Sequence, residues 1–207
     1  SGSNGGSNQV TGNAGVSMSP DSALRSNATG ANGQGGTVGL SADYTHVSGQ
    51  IQARGAGSGA GGTITTAARQ VEVTELAQID AAGGASGANG TWVVDSKGTL
   101  NVDNTVPVYD PDNYGLNTAD TRVSSTAIGS ALGRATDVKL RTGSNDGESN
   151  DVVFQHNASI VKTEGRDARL TVDSLRDVRM SSGSSIRSES GALHVDFDAN
   201  ATGGSDR

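Results

Sequence analysis

Apolar residues in this chain come in twos and threes, nearly alternating with polar ones and closed off by glycine, serine, asparagine and aspartate. The clearest runs are VGL (38–40), VEV (71–73), WVV (92–94), LNV (100–102), VVF (152–154), LTV (170–172), VRM (178–180) and LHVDF (193–197). Alternation bounded by turn residues predicts short strands with one buried face. One stretch departs from this. Over 124–134 the residues Ala127, Ile128, Ala131 and Leu132 recur at helical spacing, Ser124 or Ser125 is placed to cap them, and Gly133 to stop them. A short helix plugging the side of a strand-built body is expected there.

The strands repeat. Leu24 opens LRSNATGANGQGGTVGL, Ile51 opens IQARGAGSGAGGTITTA, and Ile79 opens IDAAGGASGANGTWVVD, at spacings of 27 and 28 residues. Each unit runs from an apolar residue through a glycine-rich link to a Gly-Thr pair and a new strand: Gly36-Thr37, Gly62-Thr63, Gly90-Thr91. Ile160 and Ile186, 26 residues apart, begin two further units. A repeat of this length signals a solenoid. With two or three short strands per unit and no helix between them, the prediction is an all-β parallel β-helix. Its coils rise roughly 4.8 Å each, with glycine and asparagine at corners needing positive φ. A β-sandwich is the alternative; the repeated Gly-Thr register favours the β-helix.

That register also decides a motif. Gly57, Gly59 and Gly62 fit the dinucleotide fingerprint G-x-G-x-x-G. A phosphate loop needs a helix after it, whereas TITTA reads as a strand, and the loop is one of three equivalent turns. It is read as a stacking turn.

Composition narrows the function. Glycine is 31 of 207 residues and the aromatics are few, so the core is built from small aliphatics in a thin, stacked body. The patterned apolar positions argue against disorder. A net charge of −7 without a basic stripe points away from nucleic acid and from anionic membrane surfaces. The absence of cysteine excludes thiol catalysis, thiolate metal sites and disulfides. No apolar run is long enough for a membrane-spanning helix, so membrane insertion is not expected. The opening SGSNGGSNQV reads as the interior of a longer protein. The charges Lys162, Glu164, Arg166, Asp167, Arg169, Asp173, Arg176, Asp177 and Arg179 alternate in sign. They are expected to form a solvated face with opposite charges on neighbouring rungs.

Three units follow: glycine-rich coils over 1–102, an inserted loop and short helix over 103–136, and further coils over 137–207. The insertion holds the first candidate site, DNTVPVYDPDNYGLNTAD (103–120). Pro107 and Pro111 break the ladder, and Tyr109, Asp110, Asp112, Asn113 and Tyr114 cluster around the second of them. Tyrosine faces with carboxylates and amides suit sugar rings. A plain excursion is the alternative. The second candidate is SNDGESND (144–151), where Asp146, Glu148 and Asp151 offer oxygen ligands of the kind Ca²⁺ takes, without EF-hand spacing. The natural carboxylate pair for glycan cleavage is Asp110 with Asp112, and nothing else supports an enzyme. His46, His156 and His194 lie far apart, and no G-x-S-x-G occurs. Asn27, Asn89, Asn157 and Asn200 head sequons that chance explains in so Asn- and Ser-rich a chain.

Across most of 35–200 the chain resembles the exoproteins of bacterial two-partner secretion, the filamentous haemagglutinin-type adhesins. The resemblance rests on GGTITTAARQVEVTELAQIDAAGGASGANGTWVVDS, on VSSTAIGSALGRATDVKLRTGS (123–144) and on 158–197. It lies in the order of glycine-rich coil, Trp92-Val93-Val94-Asp95, a loop, a Ser/Ala-rich helix, and Asp137-Val138-Lys139-Leu140-Arg141-Thr142. The family's secretion domain, with its asparagine-proline motifs, is missing, so an internal fragment is implied. The resemblance implies a right-handed β-helix, export through an outer-membrane transporter partner, and adhesion at the cell surface. The reading is a non-enzymatic segment of a large secreted adhesin, holding a surface or matrix polysaccharide or a host glycan through 103–120. A pure shaft and a polysaccharide-cleaving β-helix are the alternatives.

Overall fold

A computed structural model describes residues 3–106, 120–143 and 150–201. The first coil carries β1 (Ser7–Thr11), β2 (Gly15–Met18) and β3 (Ala23–Arg25). The second has β4 (Thr37–Val47) and β5 (Gln50–Gln52), the third β6 (Thr63–Val73) and β7 (Gln78–Asp80). The fourth runs through β8 (Gly90–Ser96), β9 (Leu100–Asp103), β10 (Thr121–Ser124) and α1 (Ser125–Gly133). The fifth holds β11 (Thr136–Thr142), β12 (Val152–Phe154) and β13 (Ser159–Lys162). The sixth holds β14 (Ala168–Ser174), β15 (Val178–Met180) and β16 (Ser185–Ser188), and β17 (Leu193–Ala199) closes the stack. All pairings between these strands are parallel. The chain is a parallel β-helix of about six turns.

The repeat register is the structural register. Leu24 lies opposite Ile51, and Ile51 opposite Ile79. Thr37 faces Thr63, which faces Thr91, and Ile160 faces Ile186. Inward columns follow, such as Val38, Ile64, Trp92, Val138 and Leu170 on the first face, and Val47, Val73, Val123, Val102 and Phe154 on the second. All of these are buried, each aliphatic contributing about 1.5–3 kcal/mol. The core is therefore not only small aliphatics; Trp92 and Phe154 are both inside it. The Trp92 indole satisfies its donor by bonding Thr66 Oγ1 at 3.2 Å, one column along.

The glycines act differently from expectation. Among the described residues only Gly57, Gly165, Gly183 and Gly191 have positive φ, and Ala135, Asn157 and Asn200 share that region. Most others permit close stacking. Gly36, Gly62 and Gly90 form one column, and a Cβ on Gly62 would lie 1.9 Å from the Gly36 carbonyl oxygen. Three amides of the fingerprint loop are also committed: Gly59 N to Ala56 O, Gly61 N to Ala88 O, Gly62 N to Ala53 O. With β6 following in place of a helix, this loop lacks the helix N-terminus that a pyrophosphate site uses.

Between the third and fifth coils the three faces part company. On the first, β8 pairs directly with β11. On the second, the chain passes twice: β9 runs first, and after the excursion β10 returns beneath it, between β6 and β9. On the third, α1 stands where a strand would stand between β7 and β13. A helix is about 10 Å across and a rung about 4.8 Å, so replacing a strand needs extra height, which β10 supplies on the neighbouring face. Ser124 caps the helix by accepting from Thr126 N, and Ala127, Ile128, Ala131 and Leu132 join the core. The left-handed turn that ends it is at Ala135, not Gly133. Gly133 closes the helix, while Gly129 lets it approach β13, since a Cβ there would sit 2.4 Å from the Val161 carbonyl. Two threonines at the borders of the insertion take up amides of the third coil: Thr121 Oγ1 accepts from Val71 N at 2.9 Å, and Thr136 Oγ1 from Ala81 N at 2.8 Å.

Candidate functional site

The outward column of the second face runs Ser17, His46, Glu72, Arg122, Asn101, Val153 and Arg179, each opposite the next. It alternates with the buried valines, so its members point away from the core. Even so, His46 is only 1% exposed. The Tyr44 hydroxyl donates to Glu72 Oε2 at 2.5 Å, and the tyrosine ring stacks with the His46 ring at 6.5 Å between centroids. His46 Nδ1 lies 3.5 Å from Glu72 Oε2, and Nε2 is 2.9 Å from Ser48 Oγ. Burial pushes the Glu72 carboxyl up, but His46, the Tyr44 hydroxyl and Arg122 outweigh it and hold it below its ordinary value. Asp103 at the end of β9 is the converse: burial raises its carboxyl, and Arg122 offsets only part of that.

Ser48, His46 and Glu72 stand in the order of a hydrolytic triad. Ser48 is itself 1% exposed, and its oxygen is also 2.9 Å from Thr74 Oγ1 on the next rung. A nucleophile must meet a carbonyl beside oxyanion donors. A serine sealed into a coil corner does not, and the chain of bonds ties the second coil to the third.

This row borders the excursion predicted as a binding loop. The feet of the excursion are held firmly. Asp103 pairs with Ser124 across adjacent strands. Asn104 Oδ1 accepts from Ser125 Oγ and from Ser159 N, both at 3.0 Å, and its Nδ2 donates to Asn157 O at 2.7 Å. One side chain therefore joins the first foot to α1 and β13. At the second foot, Thr121 Oγ1 also lies 2.7 Å from Ser96 Oγ. Tyr109, Asp110, Asp112, Asn113 and Tyr114 fall outside the described residues, as do Asp146 and Glu148. Asp151 is described: it is buried, 3.2 Å from Arg179 and accepting from Asp177 N. Its carboxylate already has a cation. Among the described residues no three His, Cys, Asp or Glu side chains group to hold a metal.

Two of the alternating charges pair across neighbouring rungs, Asp173 with Lys139 at 2.5 Å and Arg169 with Asp196, and outside that set Arg141 pairs with Asp95 in the same way. Two of the charges are not a solvated face. Lys162 is fully buried and donates to the carbonyls of Glu164, Gly165 and Ser190. Arg166 reaches the carbonyls of Gly83, Gly84 and Ala85 in the glycine-rich loop. Both serve as corner clamps. Of the sequon asparagines, Asn27 and Asn89 spend their amides on Gln52 and on Asp137 with Asp167.

Sequence reasoning missed the His46–Glu72–Arg122 row. The signal for its first two members was present, since His46 and Glu72 are 26 residues apart, one coil, each beside an inward valine. Arg122 had no such signal because it reaches the row only through the doubling back of β10. No family model, curated protein or solved structure matches this chain. Among the described residues no helix is long and apolar enough to cross a membrane.

Proposed function

We propose that this chain is a non-enzymatic shaft segment of a large secreted bacterial adhesin, exported through an outer-membrane transporter and acting at the cell surface or in biofilm matrix. In this reading the 103–120 excursion is its adhesive element, taking a surface or matrix polysaccharide or a host glycan. The observation that carries the reading is the mounting of the excursion. It leaves and re-enters at two paired strands, β9 and β10, on a stack whose first face runs unbroken beside it. Loops that bind are commonly those set on rigid scaffolds. The tyrosines and carboxylates of 109–114 supply sugar-facing chemistry, and Arg122 and Asp103 stand at its base.

The test is binding of the purified chain to a panel of bacterial exopolysaccharides and host glycans. The comparison is a variant in which 106–116 is replaced by a short Gly-Ser link, with circular dichroism confirming β content in both. Binding by the intact chain alone supports the adhesive reading. Binding by neither, with both folded, leaves a pure shaft. Release of sugar fragments would overturn the non-enzymatic reading and bring Asp110 and Asp112 forward.

A further inference from the structure

The last coil differs from those before it. The inward columns stay apolar to the end, yet at the end they are open. Met180, Val195 and Phe197 are exposed at 48%, 37% and 47%, and with Ile186 and Leu193 they line a groove of about 360 Å³. In the preceding coil their column neighbours Phe154, Leu170, Val172 and Ile160 are fully buried, each by the coil above it. Among the described residues β15, β16 and β17 each pair on one side only. The opposite end is finished otherwise: β1 points Asn8 inward, and its amide bonds Arg25 O at 2.9 Å and Ser26 Oγ at 2.8 Å. At that end Asn8 is joined by Val10, Val16 and Leu24, which stay partly buried, whereas at this end Met180, Val195 and Phe197 are exposed.

We propose that this end face seats one further coil of the same parallel winding, apolar opposite Val195 and Phe197 and basic opposite Asp196 and Asp198. Three observations specify this occupant. The face is the coil-to-coil interface itself, repeated once more, so it fits a strand in parallel register. The outward column through Asp95, Arg141 and Asp173 alternates in sign rung by rung. Asp198 breaks that alternation: it stands opposite Asp173, and among the described residues it has no ion pair. A base on the next rung would restore the alternation. A two-fold pairing of two such faces would also bury the groove, but would turn the strands antiparallel and lose the register. The inference rests on the fold and stands apart from glycan binding at 103–120.

The test adds one rung. A copy of residues 175–199 is inserted after Ala199, preserving the 25-residue spacing between Ala168 and Leu193, with the copied Asp196 and Asp198 replaced by lysine. Hydrogen exchange then reads the original β17 against the unextended chain. The expected result is at least a tenfold slowing of the β17 amides, reduced by salt, and weaker when the copy keeps its two aspartates. Unchanged exchange in a chain whose β8 and β11 remain protected overturns the proposal. Equal protection from the acidic and basic copies overturns its charge requirement. Concentration-dependent association of the unextended chain in sedimentation, with β17 protected at high concentration, makes a second copy the occupant instead.

Discussion

The first face and the other two tell different stories about the same stack. On the first, seven strands from β1 to β17 follow one another in a continuous ladder. On the second a strand is added, and on the third a strand is replaced by α1. Roughly thirty residues, from 104 to 135, enter one coil without shifting the register of the first face. The physical reason is that a parallel ladder is fixed locally, by hydrogen bonds to its two neighbours and by columns of like residues. From the fourth coil on, where β8 and β9 are separate strands, the stack can thus lose one rung on one face while another stays intact. The intact face is the scaffold; the interrupted faces are where a loop can be mounted.

Breaking the continuous face should cost most. Trp92→Ala removes the largest buried side chain among the described residues from the middle of its column, with an expected loss of about 3–5 kcal/mol in urea unfolding. Gly129→Val acts on the interrupted face, driving a side chain toward the Val161 carbonyl. About 1–3 kcal/mol is expected. Hydrogen exchange should rise first at β13 and α1 while β8 and β11 stay protected; equal loosening everywhere would mean that the faces are not independent. Lys162→Met leaves three corner carbonyls without their donor and should cost about 2 kcal/mol by the same urea measurement.

The second face offers a pH test. Glu72 has a folded value below its ordinary 4.5, so its contribution is present above that pH and is lost as pH falls through the lowered value. Glu72→Gln should therefore flatten the acid limb of stability against pH and leave its slope near neutrality unchanged. Asp103, held above its ordinary 3.8, runs the opposite way: its contribution is present below that pH and is lost as pH rises through the raised value. Smallest is Arg141→Ala on the outside of the first face. Its partner Asp95 is solvent-accessible, and a change below about 1 kcal/mol, vanishing in high salt, is expected from thermal melts.

Much of this architecture was legible beforehand because stacking leaves its period in the chain. The isoleucine spacings and the Gly-Thr pairs become structural neighbours, and the helix of 124–134 announces itself by capping and spacing. β10 was not legible. Its TRVS carries no mark distinguishing a strand that advances the winding from one that folds back under its predecessor. Nor did the charge pattern separate Lys162, which ends up sealed beneath three carbonyls, from the lysines and arginines that stay in water.

The sequence by itself determined the period, the register of the columns and the identity of the inward residues, because these follow from interactions between residues one coil apart. Only the tertiary structure decided which groups meet across the insertion. His46, Glu72 and Arg122 come into one row, Asn104 joins α1 to β13, and the last coil is left with its core exposed. These depend on the order in which strands stack, and that order is set by the height a helix needs and the strand inserted to supply it, neither of which is written in any local pattern.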